Sequence, residues 1–166
     1  MTGEVSRNVM SVWDSRFLEK TKVLGILIEL YKRYVDDDLI ICPPINPGWR
    51  YCVKDNTMKY SAELAMSDTD SPSLRTAKIL NMIANTLEHD IQMTFDIPEN
   101  HSDGKMPVLY MKIWVDGNKI LYTFYKKEVS SQYTILKRSA ISESTKLNTC
   151  FMEALRRIRN TSAVLP

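Results

Sequence analysis

Apolar residues in 15–31, SRFLEKTKVLGILIELY, recur three and four apart at Phe17, Val23, Leu24, Leu27, Leu30 and Tyr31. That period predicts an amphipathic helix, weakened slightly by Gly25. Two short β-rich runs follow, 33–35 and 39–42, around Asp36, Asp37 and Asp38. Adjacent aspartates disfavour strand continuation, so the pattern predicts a β-hairpin with carboxylates at its tip. PPINPGWRYC, with Pro43, Pro44, Pro47 and Gly48, reads as a turn-rich connector, and 61–66 as a short helix. Asp70-Ser71-Pro72 supplies a cap and an early helical proline before Leu74, Ala77, Leu80, Ile83, Ala84 and Leu87, predicting a helix over 72–88. QMTFDIP, VLYMKIWV and KILYTFYKK, punctuated by Asp103-Gly104 and Asp116-Gly117, predict three antiparallel strands. A last helix over 142–160 carries Leu147, Cys150, Phe151, Ala154, Leu155 and Ile158 on one face.

Composition narrows the class. The 166 residues are 44% hydrophobic and 25% charged, with only five glycines and seven prolines, which excludes collagen-like and low-complexity chains. No apolar run approaches the roughly 20 residues of a membrane span, and the first residues lack a basic segment leading into an apolar stretch. The expectation is an intracellular protein, nuclear or cytoplasmic, with no membrane partner. Cys42, Cys52 and Cys150 form no CxxC pair, and His89 and His101 stand apart from them, which argues against a disulfide framework or a zinc ribbon. The formal net charge of +2 hides an asymmetry: from Lys119 onward nine basic residues face three acidic ones, leaving a balance of −4 in the front of the chain. A basic end suits a polyanion, since phosphate contacts release counterions.

Carboxylates crowded between two apolar strands repel one another and lose solvation unless a cation offsets the cost. Hard oxygen ligands on a tight turn are what Mg²⁺ or Mn²⁺ requires in phosphoryl transfer, which makes Asp36 and Asp37 candidate metal ligands. An acidic, solvated turn is the structural alternative.

Tyr34-Val35-Asp36-Asp37, behind an apolar helix and ahead of Leu39-Ile40-Ile41, resembles the YxDD motif of reverse transcriptases. The elements that follow are similar in order to those of Penelope-like retroelement enzymes: a helix over 74–88, Met93-Thr94-Phe95, the strand from Met106 to Met111, Thr123-Phe124-Tyr125-Lys126-Lys127, and a basic helix over 144–159. The resemblance covers residues 24–160. It implies an α+β fold, a partial reverse-transcriptase palm of ferredoxin-like type with antiparallel strands and packed helices over 1–138, and the start of a thumb-like helical region over 139–166. It implies RNA-directed DNA polymerase chemistry with Mg²⁺ or Mn²⁺ on Asp36 and Asp37, and a primer–template nucleic acid as partner. Tyr34 and Val35 would lie against the primer end or template. Tyr125, Lys126 and Lys127 would belong to a primer grip, and Lys146, Arg156 and Arg157 to a helix tracking the duplex backbone.

The chain departs from the pattern at Asp38, where the family has an apolar residue, and at Tyr110, where it has an aspartate. Two metal ions about 3.5–4 Å apart also need a second carboxylate strand upstream of the hairpin. Asp14 is the nearest upstream candidate, and it abuts the helix that leads into the hairpin. The sequence therefore predicts a C-terminal palm and thumb-root portion, inactive in isolation, whose missing half could be supplied by a partner. The alternative is a non-catalytic α+β module derived from a retroelement that binds nucleic acid or another protein.

Overall fold

A computed structural model of the chain describes residues 2–35, 37–125 and 139–162. It is α+β, with four α-helices and small antiparallel sheets among the described residues, and it divides into two compact units, Met1–Ile97 and Pro98–Pro166. The division predicted at residue 139 falls inside the second unit.

The first unit begins with α1, Thr2–Val23, which ends eight residues before the predicted boundary. Its terminus explains the difference. Ile26 N–H donates to Thr21 O at 2.9 Å and Gly25 N–H to Lys22 O at 3.1 Å, with Gly25 at φ 73°, the paired closure that satisfies the last carbonyls and turns the chain away. Gly25 stops the helix instead of merely weakening it, and Leu30 and Tyr31 pass into a strand. Trp13, Phe17 and Thr21, four residues apart, form the buried stripe of α1, and the Trp13 and Phe17 rings stack 5.3 Å apart.

The predicted hairpin forms from β1, Leu30–Tyr34, and β2, Asp37–Ile41, with Tyr34 opposite Asp37 and Arg33 opposite Asp38. The strands reach closer to the tip than expected because Asp37 and Asp38 are themselves ladder residues. A second hairpin, β3, Trp49–Cys52, with β4, Thr57–Tyr60, lies partly in the segment expected to be a connector. Its Tyr51 is buried in the core and donates to Asn56 Oδ1. Helices α2, Ala62–Ser67, and α3, Pro72–Ala84, follow, capped by Ser61 and Ser71 with Pro72 opening α3. Helix α3 buries Ile79, Leu80, Ile83 and Ala84 against the α1 stripe and Tyr51.

Helix α3 stops four residues before its predicted end because Asn85 turns its side chain to other work. Asn85 Nδ2 donates to Met93 O at 3.0 Å and Met93 N–H donates to Asn85 Oδ1 at 2.6 Å. That clamp satisfies both backbone groups of Met93 in the QMTFDIP segment, which is not a strand although its composition predicts one.

The second unit holds a three-stranded sheet in the order β5, Met106–Val108, β6, Met111–Asp116, and β7, Lys119–Phe124. The run predicted as one strand over 108–115 is broken by a tight turn at Leu109, which takes φ 54°, and Tyr110. Helix α4, Glu143–Arg159, matches its predicted span, with Ser142 and Asn160 as caps. Beyond it Ser162 N–H donates to Tyr122 O at 2.8 Å and Tyr122 N–H to Ser162 Oγ at 2.7 Å, which closes the outer edge of β7. No described residue of this unit is fully buried.

Candidate functional site

The β1–β2 hairpin sorts its charged residues by strand alternation. Tyr34 and Asp37 lie opposite each other on one face and are exposed, while Arg33 and Asp38 lie opposite each other on the other face and are nearly enclosed, at 10% and 7% side-chain exposure. Val35 follows Tyr34 at φ 58° and is 73% exposed, an uncommon conformation for a β-branched residue. Asp36 lies outside the described residues.

On the enclosed face Arg33 Nη2 meets Asp38 Oδ2 at 2.8 Å as an ion pair, without the geometry of a hydrogen bond at that oxygen. Arg33 Nε donates to Asp14 Oδ1 at 2.7 Å, and Tyr31 O–H donates to Asp14 Oδ1 at 2.6 Å, with Asp38 Oδ1 3.1 Å from the same hydroxyl. The guanidinium stacks over Trp13, 5.1 Å from the ring centroid. Helix α1 and strand β1 are thereby joined through a polar cluster at the margin of the core. Burial pushes the Asp38 carboxyl up to about 6, partly offset by Arg33 and by the Tyr31 hydroxyl. Burial, then the hydrogen bond to Asp14, raises the Tyr31 phenol above its ordinary value.

Asp14, weighed from the sequence as an upstream metal carboxylate, is thus committed to Arg33 and Tyr31. Nothing in the local sequence around Asp14 signals this partnership. The alternation of Tyr31 and Arg33 on one strand, with Asp38 across a short hairpin, does signal the β-strand half of the cluster. Among the described residues no group of three or more His, Cys, Asp or Glu side chains converges as a metal site. Asp37 faces solvent and Asp38 faces Arg33, so these two described carboxylates do not converge on one point.

The remaining predicted site residues belong to the second unit. Tyr125 is half-buried, donates its N–H to Tyr110 O at 2.7 Å and carries Lys112 Nζ 4.9 Å over its ring. Lys126 and Lys127 lie outside the described residues. Lys146 pairs with Glu143 at 3.4 Å. Arg156 meets Glu153 at 2.6 Å and stacks over Tyr110 and Phe124, at 4.2 and 5.6 Å from their centroids. Arg157 pairs with Glu153 at 3.1 Å, lies 5.2 Å over the Phe124 ring and remains 54% exposed. The structure therefore gathers Tyr34, Val35 and Asp37 at one tip and Lys146, Arg156 and Arg157 on α4, with Arg156 turned toward the sheet. Glu153 is held below the usual carboxylate range by the hydrogen bond from Arg156, with a further contribution from Arg157.

Comparison of the chain with protein-family models, with curated proteins and with solved structures finds no match.

Proposed function

We propose that the chain is a portion of a reverse-transcriptase-type palm that presents its YVDD hairpin to the end of a polynucleotide and does not compose a complete catalytic centre. The observation that carries this reading is the hairpin tip: Tyr34, Val35 and Asp37 project together from a tight turn, while the extra aspartate, Asp38, is drawn inward and neutralised by Arg33. An aromatic ring, an apolar side chain and a carboxylate exposed together suit a nucleotide end better than a generic solvated turn, because a base can stack on the ring. The order of hairpin, helix, small sheet and basic helix supports the same ancestry. In this reading any ion on Asp36 and Asp37 requires carboxylates from another segment, which keeps polymerisation outside the chain's own reach.

The test is a fluorescence anisotropy titration with a labelled primer–template duplex across a salt series. Affinity that falls steeply with salt, and falls further on Tyr34→Ala and Arg157→Ala, supports the reading. Binding that is absent at low salt, or indifferent to both substitutions, overturns it.

A second reading, an interaction module, is favoured by one feature of α4. Leu147, Phe151, Ala154 and Ile158 form a stripe at four-, three- and four-residue steps that faces outward, with the first, second and fourth 69%, 60% and 69% exposed. Arg156, on the opposite side of the helix, faces the aromatic rings of the sheet. An amphipathic helix with its apolar side outward offers a surface for another polypeptide. Sedimentation of the chain alone, with Leu147→Glu as control, reads whether that surface binds a second copy.

A further inference from the structure

The run Asp36-Asp37-Asp38-Leu39-Ile40-Ile41 poses a register problem. If β2 slid by one residue so that Tyr34 faced Asp38 and Arg33 faced Leu39, an aspartate would replace an aspartate on the exposed face, and apolar residues would replace one another farther along. Side-chain pattern specifies register only weakly here: Ile40 packs against the core while Leu39 and Ile41 are half-buried on the opposite face, so the slip would exchange one aliphatic side chain for another at the core.

Turn geometry makes the slipped alternative more comfortable. It would lengthen the connection from Val35-Asp36 to Val35-Asp36-Asp37, a three-residue loop whose last position takes the left-handed conformation that aspartate tolerates. Val35 would then be released from φ 58°. The register seen in the structure keeps a β-branched residue in an unfavourable conformation, and such strain persists only where the surroundings over-determine it.

The surroundings that do so are the groups around Arg33. Its guanidinium is fixed by Asp14 at 2.7 Å and by stacking on Trp13, and it meets Asp38 at 2.8 Å directly across the ladder. Tyr31 adds a contact of 3.1 Å to the same carboxylate. In the slipped register Arg33 would face Leu39, and the enclosed guanidinium would lose one of its two carboxylates.

We propose that Arg33, held by Asp14 and Tyr31, is a positioning residue that selects the hairpin register and thereby decides which aspartates stand at the tip. Resting on the function proposed above, this makes Arg33 the residue that keeps Asp37 beside Tyr34 on the exposed face, with Asp38 withdrawn.

Cross-strand backbone nuclear Overhauser contacts of the isolated chain, recorded without metal or nucleic acid, test the idea. The wild type shows Tyr34–Asp37 and Lys32–Leu39 contacts. In Arg33→Met these give way to contacts of Tyr34 with Asp38 and of residue 33 with Leu39, whereas Arg33→Lys, which retains a cation, preserves the wild-type set. Should Arg33→Met unfold, Asp38→Asn serves in its place, because Arg33 keeps Asp14 there, and the same shift toward Tyr34–residue 38 contacts is expected. A folded variant of either kind that retains the wild-type contacts overturns the proposal. A register that slips as expected in a chain that binds no polynucleotide rejects the functional reading and leaves the role of Arg33 standing.

Discussion

Asp68 and Arg75 form an enclosed ion pair between the segment that follows α2 and the first turn of α3, with Arg75 Nε 2.7 Å from Asp68 Oδ2 and the side chains 5% and 2% exposed for Arg75 and Asp68. The same carboxylate oxygen receives Arg50 Nη2 from β3 at 2.9 Å, and Arg75 also donates to Ile45 O and Asp70 O at 3.0 and 2.9 Å. One carboxylate thus holds three parts of the first unit in place. Arg75, buried on α3 beside Thr76, is tolerated because each nitrogen of its fork meets an acceptor.

That arrangement sets an acid limit. The hydrogen bond from Arg75, with a second from Arg50, holds the Asp68 carboxyl at about 2, below its ordinary 3.8. A lowered carboxylate stabilises the folded state above its unfolded value, and that contribution is lost as pH falls from about 4 toward 2. Urea unfolding of the wild type and of Asp68→Asn should show the two stability profiles converging on acidification through this window. Parallel profiles there would remove Asp68 as the cause.

Asp38 works in the opposite sense. Burial raises its carboxyl from 3.8 to about 6, so the folded state binds that proton more tightly than the unfolded chain. The raised carboxyl then weakens the fold as pH increases from about 4 to about 6, with no further change above, and the full shift corresponds to about 3 kcal/mol as an upper figure. Asp38→Asn is expected to flatten this part of the profile, so that the variant gains on the wild type between those limits. A difference that stays constant from pH 4 to pH 7 would falsify the assignment.

What the sequence disclosed and what it concealed divide along physical lines. Ser71-Pro72 announces α3 because capping is a contract between residues three apart, and the helix begins where those residues place it, whereas α4 was legible from its apolar spacing and proves to be capped by Ser142. The hairpin was legible from the β-rich runs at 33–35 and 39–42 and from the aspartates between them, although its first strand begins at Leu30, inside the span read as helix. By contrast, QMTFDIP has strand composition but no strand partner among the described residues, and the backbone of its Met93 is taken by the side chain of Asn85. The turn at Leu109 was hidden because no glycine or asparagine marks its left-handed residue. The Arg33 cluster depends on Asp14, nineteen residues away on another element, a separation over which no local pattern speaks.

Gly25 and Gly48 separate two reasons for keeping a glycine. Both sit at positive φ, 73° and 86°. Around Gly25 an added Cβ would meet nothing within 4 Å, so Gly25→Ala carries the conformational penalty alone, about 1 kcal/mol. At Gly48 the same atom would fall 2.7 Å from Ser61 O and 2.8 Å from both Ala65 Cβ and Tyr60 Cε2. Backbone oxygen cannot yield there without disturbing the Ser61 N–H to Gly48 O bond of 3.0 Å, so overpacking adds about 1–3 kcal/mol. Chemical denaturation of the two variants should rank Gly48→Ala as the more destabilised; equal losses would mean the segment around residue 48 opens more easily than its contacts suggest.

Val35 offers the test in which stability and function part company. At φ 58° and 73% exposed, its side chain makes little of its position in packing terms, and a β-branched residue is among the least suited to that conformation. Asparagine tolerates the left-handed region and keeps a side chain of similar size. Val35→Asn should therefore stabilise the chain by about 0.5–1 kcal/mol in urea unfolding, an increment larger than ordinary surface substitutions give. If the tip meets a polynucleotide end, the same change exchanges an apolar contact for a solvated amide, and affinity for a primer–template duplex should drop even as stability rises. A variant that gains stability and loses affinity identifies the strain as kept for contact with a ligand. A gain in stability with affinity unchanged would place the tip outside the interface and leave α4 as the surface to pursue.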